Sequence, residues 1–267
     1  MESMSTTDLF RTGRLYDSIE AQSAAVRAAP SDIRKRWFLA ELLCFAGDWE
    51  RADRSLDVIA LQSTEQRGAV LSFQNLLRGE EMRRQVLTEG RAPQILGAGV
   101  DALRSAVAAL LCLREGRLDE AVPSLAEGEG SAAAVFGIRN GEKPFDSFRD
   151  LDDVCAPFVE LIAEGGQYHW VSVADIASIE TRPLATARDL IWRPAHLVVR
   201  NGPKGDVFLP AIYVTDPQDG DESLRLGRRT EWIEQAGSPV RGVGLRTFLV
   251  GDDDVPIHEL GRLEFAD

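Results

Sequence analysis

No apolar run in the chain approaches the roughly 20 residues needed to cross a bilayer, so no membrane span is expected. The N-terminal stretch, Met1 to Asp8, has neither the basic nor the apolar region of a signal peptide, and a cytoplasmic protein is expected. Cysteine is scarce: Cys44, Cys112 and Cys155 are an odd count with no Cys-x-x-Cys spacing, which leaves reduced, buried thiols. Histidine is equally scarce. His169, His196 and His258 lie far apart, none with a Cys, His or carboxylate at metal-ligand spacing, so no metal is expected. His258-Glu259 lacks the second histidine of a zinc-protease helix. Basic charge is in deficit, with 30 Lys and Arg against 43 Asp and Glu and a net charge of −13. Residues 1–135 hold 16 basic against 20 acidic side chains and residues 136–267 hold 14 against 23. An acidic surface repels phosphate backbones and anionic headgroups, so nucleic acid and membrane surfaces are excluded and protein or small-molecule partners remain. No Gly-x-Ser-x-Gly elbow and no Gly-x-x-x-x-Gly-Lys loop occurs, so no enzyme signature stands out and no cofactor is expected.

What is present is a repeat. Residues 32–61 read as two antiparallel helices hinged at Gly47. In the first, Trp37, Phe38, Leu39, Leu42, Leu43, Cys44 and Phe45 cover more than one face, so that helix must be sandwiched. The second keeps Trp49, Ala52, Leu56, Ile59 and Ala60 at spacings of three and four, with Glu50, Arg51, Asp53 and Arg54 between them, and has one buried stripe. Shifted back by 34 residues, Gly13, Leu15, Ser18, Ala25 and Val26 fall on Gly47, Trp49, Ala52, Ile59 and Ala60, the period of a tetratricopeptide repeat. The run Leu110 to Leu113 followed by Gly116 to Ala121 predicts a third hairpin, with one extra residue before its glycine and Cys112 matching Cys44. Such units bury their faces only against neighbours and leave a concave groove suited to a peptide or helix of another protein. Trp37, Leu39, Leu43 and Trp49 are candidate partner-binding residues in that groove.

A length of 267 residues suggests two domains, and 44 % hydrophobic with 27 % charged residues is ordinary for a globular protein. The expected fold is α+β: a tetratricopeptide-like helical solenoid over residues 1–130, then a smaller β-rich α+β domain over residues 140–267. Ser5 and Asp8 form a capping box at a first short helix, and residues 64–89 form one long helix with Val70, Leu71, Phe73, Leu76, Leu77, Met82, Val86 and Leu87 inward. Gly97-Ala98-Gly99 before a helix has the outline of a dinucleotide turn, but residues 91–96 are too short for the strand it needs. Periodicity shifts across the Gly-, Ala- and Ser-rich residues 127–141. Residues 150–163 are expected to carry a short helix with Pro157 in its first turn. Strand patterns follow at residues 167–173, 176–181, 192–200, 206–215, 229–235, 242–250 and 255–265, with turns at Asn201-Gly202, Asp216-Pro217 and residues 252–254. One helical turn at residues 219–226 would be capped by Asp219 or Asp221.

Carboxylates gather at Asp150, Asp152 and Asp153, at Asp216 to Glu222, and at Asp252 to Asp254. Helix caps and turns account for them; an enzyme of this chain would instead draw on Asp150, Asp152, His169 and Glu231. Arg225, Arg228, Arg229, Glu231 and Trp232 join guanidinium forks to an aromatic, which suits either a protein interface or an internal salt-bridge and stacking cluster.

The chain resembles a known family through Gly13-Arg14-Leu15, Leu42-Leu43-Cys44 with Asp48-Trp49-Glu50-Arg51-Ala52, Gly141-Glu142 with Pro144-Phe145, Asp150 to Asp152 and Pro157 to Leu161. More specific are Gly166-Gln167-Tyr168-His169-Trp170-Val171, Arg188 to Ala195, and Leu224 to Trp232. Together they resemble the ImpE, or TagJ, accessory proteins of type VI secretion across nearly the whole chain. The resemblance implies a cytoplasmic, non-enzymatic adaptor that binds the small contractile-sheath subunit, TssB, through a helix near that subunit's N-terminus, and it carries over no catalytic residue. The rival expectations are a general tetratricopeptide scaffold or a self-associating protein, a homodimer included, built on the Arg225 to Trp232 face, and a hydrolase with its site in the β-rich part.

Overall fold

The computed structural model describes residues 4–129, 135–214 and 220–266. Among them seven helices come first: α1 (Thr6–Arg11), α2 (Leu15–Ala28), α3 (Ile33–Phe45), α4 (Trp49–Gln62), α5 (Arg67–Arg84), α6 (Val100–Arg114) and α7 (Leu118–Glu129). Three hairpins, α1–α2, α3–α4 and α6–α7, turn in the same way. Gly13, Gly47 and Gly116 adopt φ of +88°, +74° and +73°, a left-handed conformation that costs an L side chain. Each glycine amide donates to the carbonyl three residues back (Phe10, Cys44, Leu113), and the next amide donates to the carbonyl five back (Leu9, Leu43, Cys112). This double bond is the Schellman closure of a helix C-terminus. Five residues beyond each glycine stands a fully buried small residue, Ser18, Ala52 or Ala121, where the two helices meet. Counted from its glycine, Cys44 aligns with Leu113 and not with Cys112, because the extra residue belongs to the helix; both thiols are nonetheless buried.

Residues 64–89 are helical throughout as expected, opening with a 3-10 turn and closing with a wide π turn over Gln85–Glu89 that ends at Gly90. Leu71, expected inward, is 54 % exposed. At Gly79 a Cβ would stand 2.4 Å from the Ile162 side chain, so the missing side chain is what lets α5 lie close against the sheet.

The strands are β1 (Gln94–Leu96), β2 (Gly137–Arg139), β3 (Lys143–Phe145), β4 (Phe148–Asp150), β5 (Phe158–Ala163), β6 (Tyr168–Ser172), β7 (Ile176–Thr181), β8 (Trp192–Val199) and β9 (Lys204–Pro210). After the short α8 (Glu222–Arg225) come β10 (Thr230–Ile233), β11 (Arg241–Gly244), β12 (Thr247–Val250), β13 (Asp253–Pro256) and β14 (Arg262–Phe265). Nine of them form one sheet in the order β1-β6-β5-β9-β8-β7-β14-β2-β3, beside a three-stranded β13-β12-β4 and a β10-β11 ribbon. The chain is thus α+β, with an N-terminal helical region and a C-terminal sheet-rich region. Period-two alternation sorts the large sheet's side chains: Phe158, Ile162, Tyr168, Trp170 and Trp192 join the core of the helices. Val159, Leu161, Val171, Leu197 and Leu209 join a second core with Phe148 and Phe248.

Several expectations are corrected. Residues 150–163 hold no helix. The Asp150 carboxylate takes the Asp152 amide, and the Asp152 carboxylate takes the Val154 and Cys155 amides. These side chains bind the amides a helix would use, and the apolar run that follows is β5, continuous because both of its faces are covered. Pro157 precedes that strand, its carbonyl accepting from Val173. Residues 91–96 do make a short strand, β1, paired in parallel with β6 at the sheet edge. The Gly97-Ala98-Gly99 turn holds no phosphate slot, because the Gly99 amide donates to Asp175 Oδ2 at 2.7 Å and the chain's own carboxylate fills the place of an anion. Residues 242–250 and 255–265 are each split in two, and the strand from residue 206 ends at Pro210. Asp221 caps α8; Asp219 and the Asp216-Pro217 turn lie outside the described residues.

Candidate functional site

Where helices meet sheet, a cleft of about 260 Å³ opens between the Gly47 turn, α5 and the segment following β9. Phe45 and Trp49 come from the hairpin, Arg83 and Arg84 from α5, Ile212 and Tyr213 from the sheet side, with Arg225 of α8 at its edge. The Schellman turn at Gly47 and the N-cap of Asp48, whose carboxylate accepts the Arg51 amide, aim Trp49 across the seam, where its ring lies 6.0 Å from that of Trp192.

Beneath the cleft is a buried ionic network. Arg83 bonds Glu80 at 3.0 Å, Glu160 at 2.9 Å and the Ile212 carbonyl at 3.0 Å. Arg246 bonds Asp150 at 2.9 Å and also Glu160. Tyr168 donates to Glu160, Trp170 to Tyr168 at 2.6 Å, Trp192 to Glu80 at 3.0 Å, and Tyr213 to Asp150 at 2.6 Å. Burial alone would raise the Glu160 carboxyl, but Arg246 and Arg83 outweigh it and hold the value at about 2. Asp150 is pushed up to about 6, chiefly by burial, with Arg246 pulling it down. Burial pushes both tyrosine hydroxyls up, and each donates to its carboxylate. The network ties α5 to β4, β5, β6, β8 and the β11–β12 connection, so the cleft has rigid walls. Sequence reading missed Glu80, Arg83, Glu160 and Arg246. A signal was there: Glu160 stands alone in Phe158-Val159-Glu160-Leu161-Ile162, where a buried carboxylate requires a buried cation.

Of the expected partner-binding residues, the structure brings Trp49 and Arg225 to this cleft. Leu39 and Leu43 are core residues, 8 % and 1 % exposed, because α3 is packed on more than one side, and so among the described residues they present no surface to a partner. Trp37 is half-buried and stacks on Phe73, rings 6.0 Å apart. Arg228 donates to the Phe10 and Arg11 carbonyls and so fastens the end of α1. Arg229 pairs with Asp221 and Glu231, and Trp232 lies edge-on to Tyr213.

The carboxylates considered for an enzyme do not converge. Asp150 and Asp152 are fully buried neighbours, but their oxygens are taken by Arg246, Arg241, Tyr213 and backbone amides. Glu231 is exposed on β10, and His169 projects from the face of β6 opposite Tyr168 and Trp170; neither bonds to the aspartates. Burial lowers the His169 pKa, and its Nδ1 has no partner among the described residues. Among the described residues no three His, Cys, Asp or Glu side chains are grouped to hold a metal ion, and no helix is long and apolar enough to cross a membrane.

Residues 142–264 match the model of the ImpE protein family. Over 262 residues the chain is 33 % identical to the type VI secretion system accessory component TagJ of Pseudomonas aeruginosa, covering 98 % of this chain and 91 % of that protein. A crystal structure of a Vibrio parahaemolyticus protein superposes with a TM-score of 0.90 at 25 % identity, over 98 % of this chain and 97 % of that one.

Proposed function

The chain belongs to the ImpE/TagJ family of type VI secretion accessory proteins, and from that premise we propose that it is a cytoplasmic, non-enzymatic adaptor for the small contractile-sheath subunit. In this reading the helical part, residues 1–130, is a tetratricopeptide-like array, the sheet-rich part is residues 140–267, and an N-terminal amphipathic helix of the sheath subunit docks at their seam. The observation that carries the site is the cleft: aromatic and aliphatic walls from both parts of the chain, a rigid ionic floor, and Arg84 at its edge without an ion pair among the described residues. An incoming helix would bury its apolar stripe against the half-buried Trp49 and Ile212. The cleft is favoured over the Arg225 to Trp232 face because the donors of Arg228 and Arg229 are engaged within the chain.

Calorimetric titration with a synthetic peptide of the sheath subunit's N-terminal helix tests the reading. Saturable binding is expected for the true peptide and not for a scrambled one, and Trp49→Ala should weaken it by about 30-fold, the effect of a buried aromatic anchor. Undiminished binding by a folded Trp49→Ala protein would move the site elsewhere; no binding of either peptide would remove the partner.

A further inference from the structure

A second apolar groove, of about 160 Å³, runs along α6 on the helical part and shares no lining residue with the seam cleft. Its walls are Val86 and Leu87 of the π turn, Pro93, and Val107, Leu110 and Leu111 of α6. Val86 is buried and forms the floor, but Val107 and Leu111 are 37 % and 41 % exposed, and Val100, further along α6, is 43 % exposed. Val107 and Leu111 are four residues apart and share a helix face, so α6 turns an apolar stripe outward as well as inward. The π turn shapes the opposite wall by leading into the left-handed Gly90, over which the Arg114 guanidinium lies.

Charge identifies the occupant. Among the described residues the groove is lined by two guanidiniums, Arg91 and Arg114, and by no carboxylate, in a chain whose net charge is −13. Among the described residues the Arg91 guanidinium bonds only the neutral Gln85 side chain, at 2.7 Å, and Arg114 has no ion pair. We propose that this groove is a second docking surface, which takes an acidic amphipathic helix of a partner protein. The partner's apolar residues, spaced three and four apart, would pack between Val107, Leu111 and Leu87, while its carboxylates would meet Arg91 and Arg114. Basic segments are rejected by the same two charges. With the seam cleft, the protein would then hold two helices at once.

The probes are two fluorescein-labelled synthetic peptides of roughly 20 residues, long enough to hold a helix. Both carry leucines at alternating spacings of three and four, one with glutamate and the other with lysine on the flanks. Anisotropy titrations against the full chain should show saturable binding of the acidic peptide at least about tenfold tighter than the basic one. Leu111→Glu should abolish it, Arg114→Glu should reverse the preference, and Trp49→Ala should leave it unchanged, with the two α6 variants melting like the parent by circular dichroism and Trp49→Ala, which loses its packing on Trp192, still folded at the assay temperature. Equal affinity for the two peptides, no saturable binding, or undiminished binding by Leu111→Glu would overturn the proposal. Loss of binding in Trp49→Ala would move the peptide to the seam cleft and overturn it too. Concentration-dependent self-association of the parent that Leu111→Glu abolishes would assign the groove to a second copy of the chain, with the same consequence.

Discussion

Glu160 bears the most consequence of any single side chain. It accepts from Arg83, Arg246 and Tyr168 in the interior, and removing it leaves two buried guanidiniums short of a counter-charge. Glu160→Ala should therefore cost about 3–5 kcal/mol in urea unfolding, the usual penalty for orphaning a buried ion pair. Proton linkage gives a second test. Burial, only partly offset by Arg188, raises Glu41 to about 7, and Asp150 stands at about 6, both above their unfolded values of 4.5 and 3.8. The folded chain then binds more protons than the unfolded one, so this contribution is complete below pH 4 and is lost as pH rises through 6 and 7. Glu160 acts in the opposite sense, its contribution present above its unfolded 4.5 and lost as pH falls towards 2. His258, lowered to about 4 by burial and Arg193, and His169, lowered by burial, act in the opposite sense over part of the same window, so the variant isolates the carboxylate: Glu41→Gln should raise the melting temperature more at pH 8 than at pH 5 and so change its slope with pH. An unchanged slope in that variant would show that Glu41 does not titrate as described.

The hairpin is the unit at the scale of elements. Gly47 is held at φ +74° by two backbone bonds, and none of the described residues comes within 4 Å of where a Cβ would stand, so only conformation opposes a substitution there. Gly47→Ala should cost about 1–2 kcal/mol, measured by thermal or urea unfolding, with the sheet's signals unaltered. The repeat behind this turn was legible in the sequence because Gly13, Gly47 and Gly116 and the small residues five further on do their work locally. β5 was not legible. Its five successive buried residues have no alternation to read, and Asp150 and Asp152, which resemble helix-start residues, bind loop amides and cations instead.

Considered whole, the larger of the molecule's two cores passes from the helices into the sheet: Leu42, Leu56 and Phe73 belong to the same cluster as Phe158, Trp170 and Trp192, and the second core lies on the sheet's other face. Arg83 of α5 reaches Glu160, Trp192 reaches Glu80, and Arg228 reaches the end of α1. We expect a single cooperative transition on heating, with far-ultraviolet helix signal and near-ultraviolet tryptophan signal lost together. Two separated transitions would instead mark residues 1–130 and 140–267 as autonomous domains.

By itself the sequence determined the hairpins, the N-cap at Ser5, most strand positions and the resemblance to ImpE/TagJ proteins, since each is written in spacings of a few residues or in contiguous motifs. Only the tertiary structure decided that Leu39 and Leu43 are core, that Trp49 meets Arg225 across a cleft, and that Glu80, Arg83, Glu160 and Arg246 form one network. Those relations join residues far apart in the chain, and the desolvation that forces such charges together exists only once the helices have closed over the sheet.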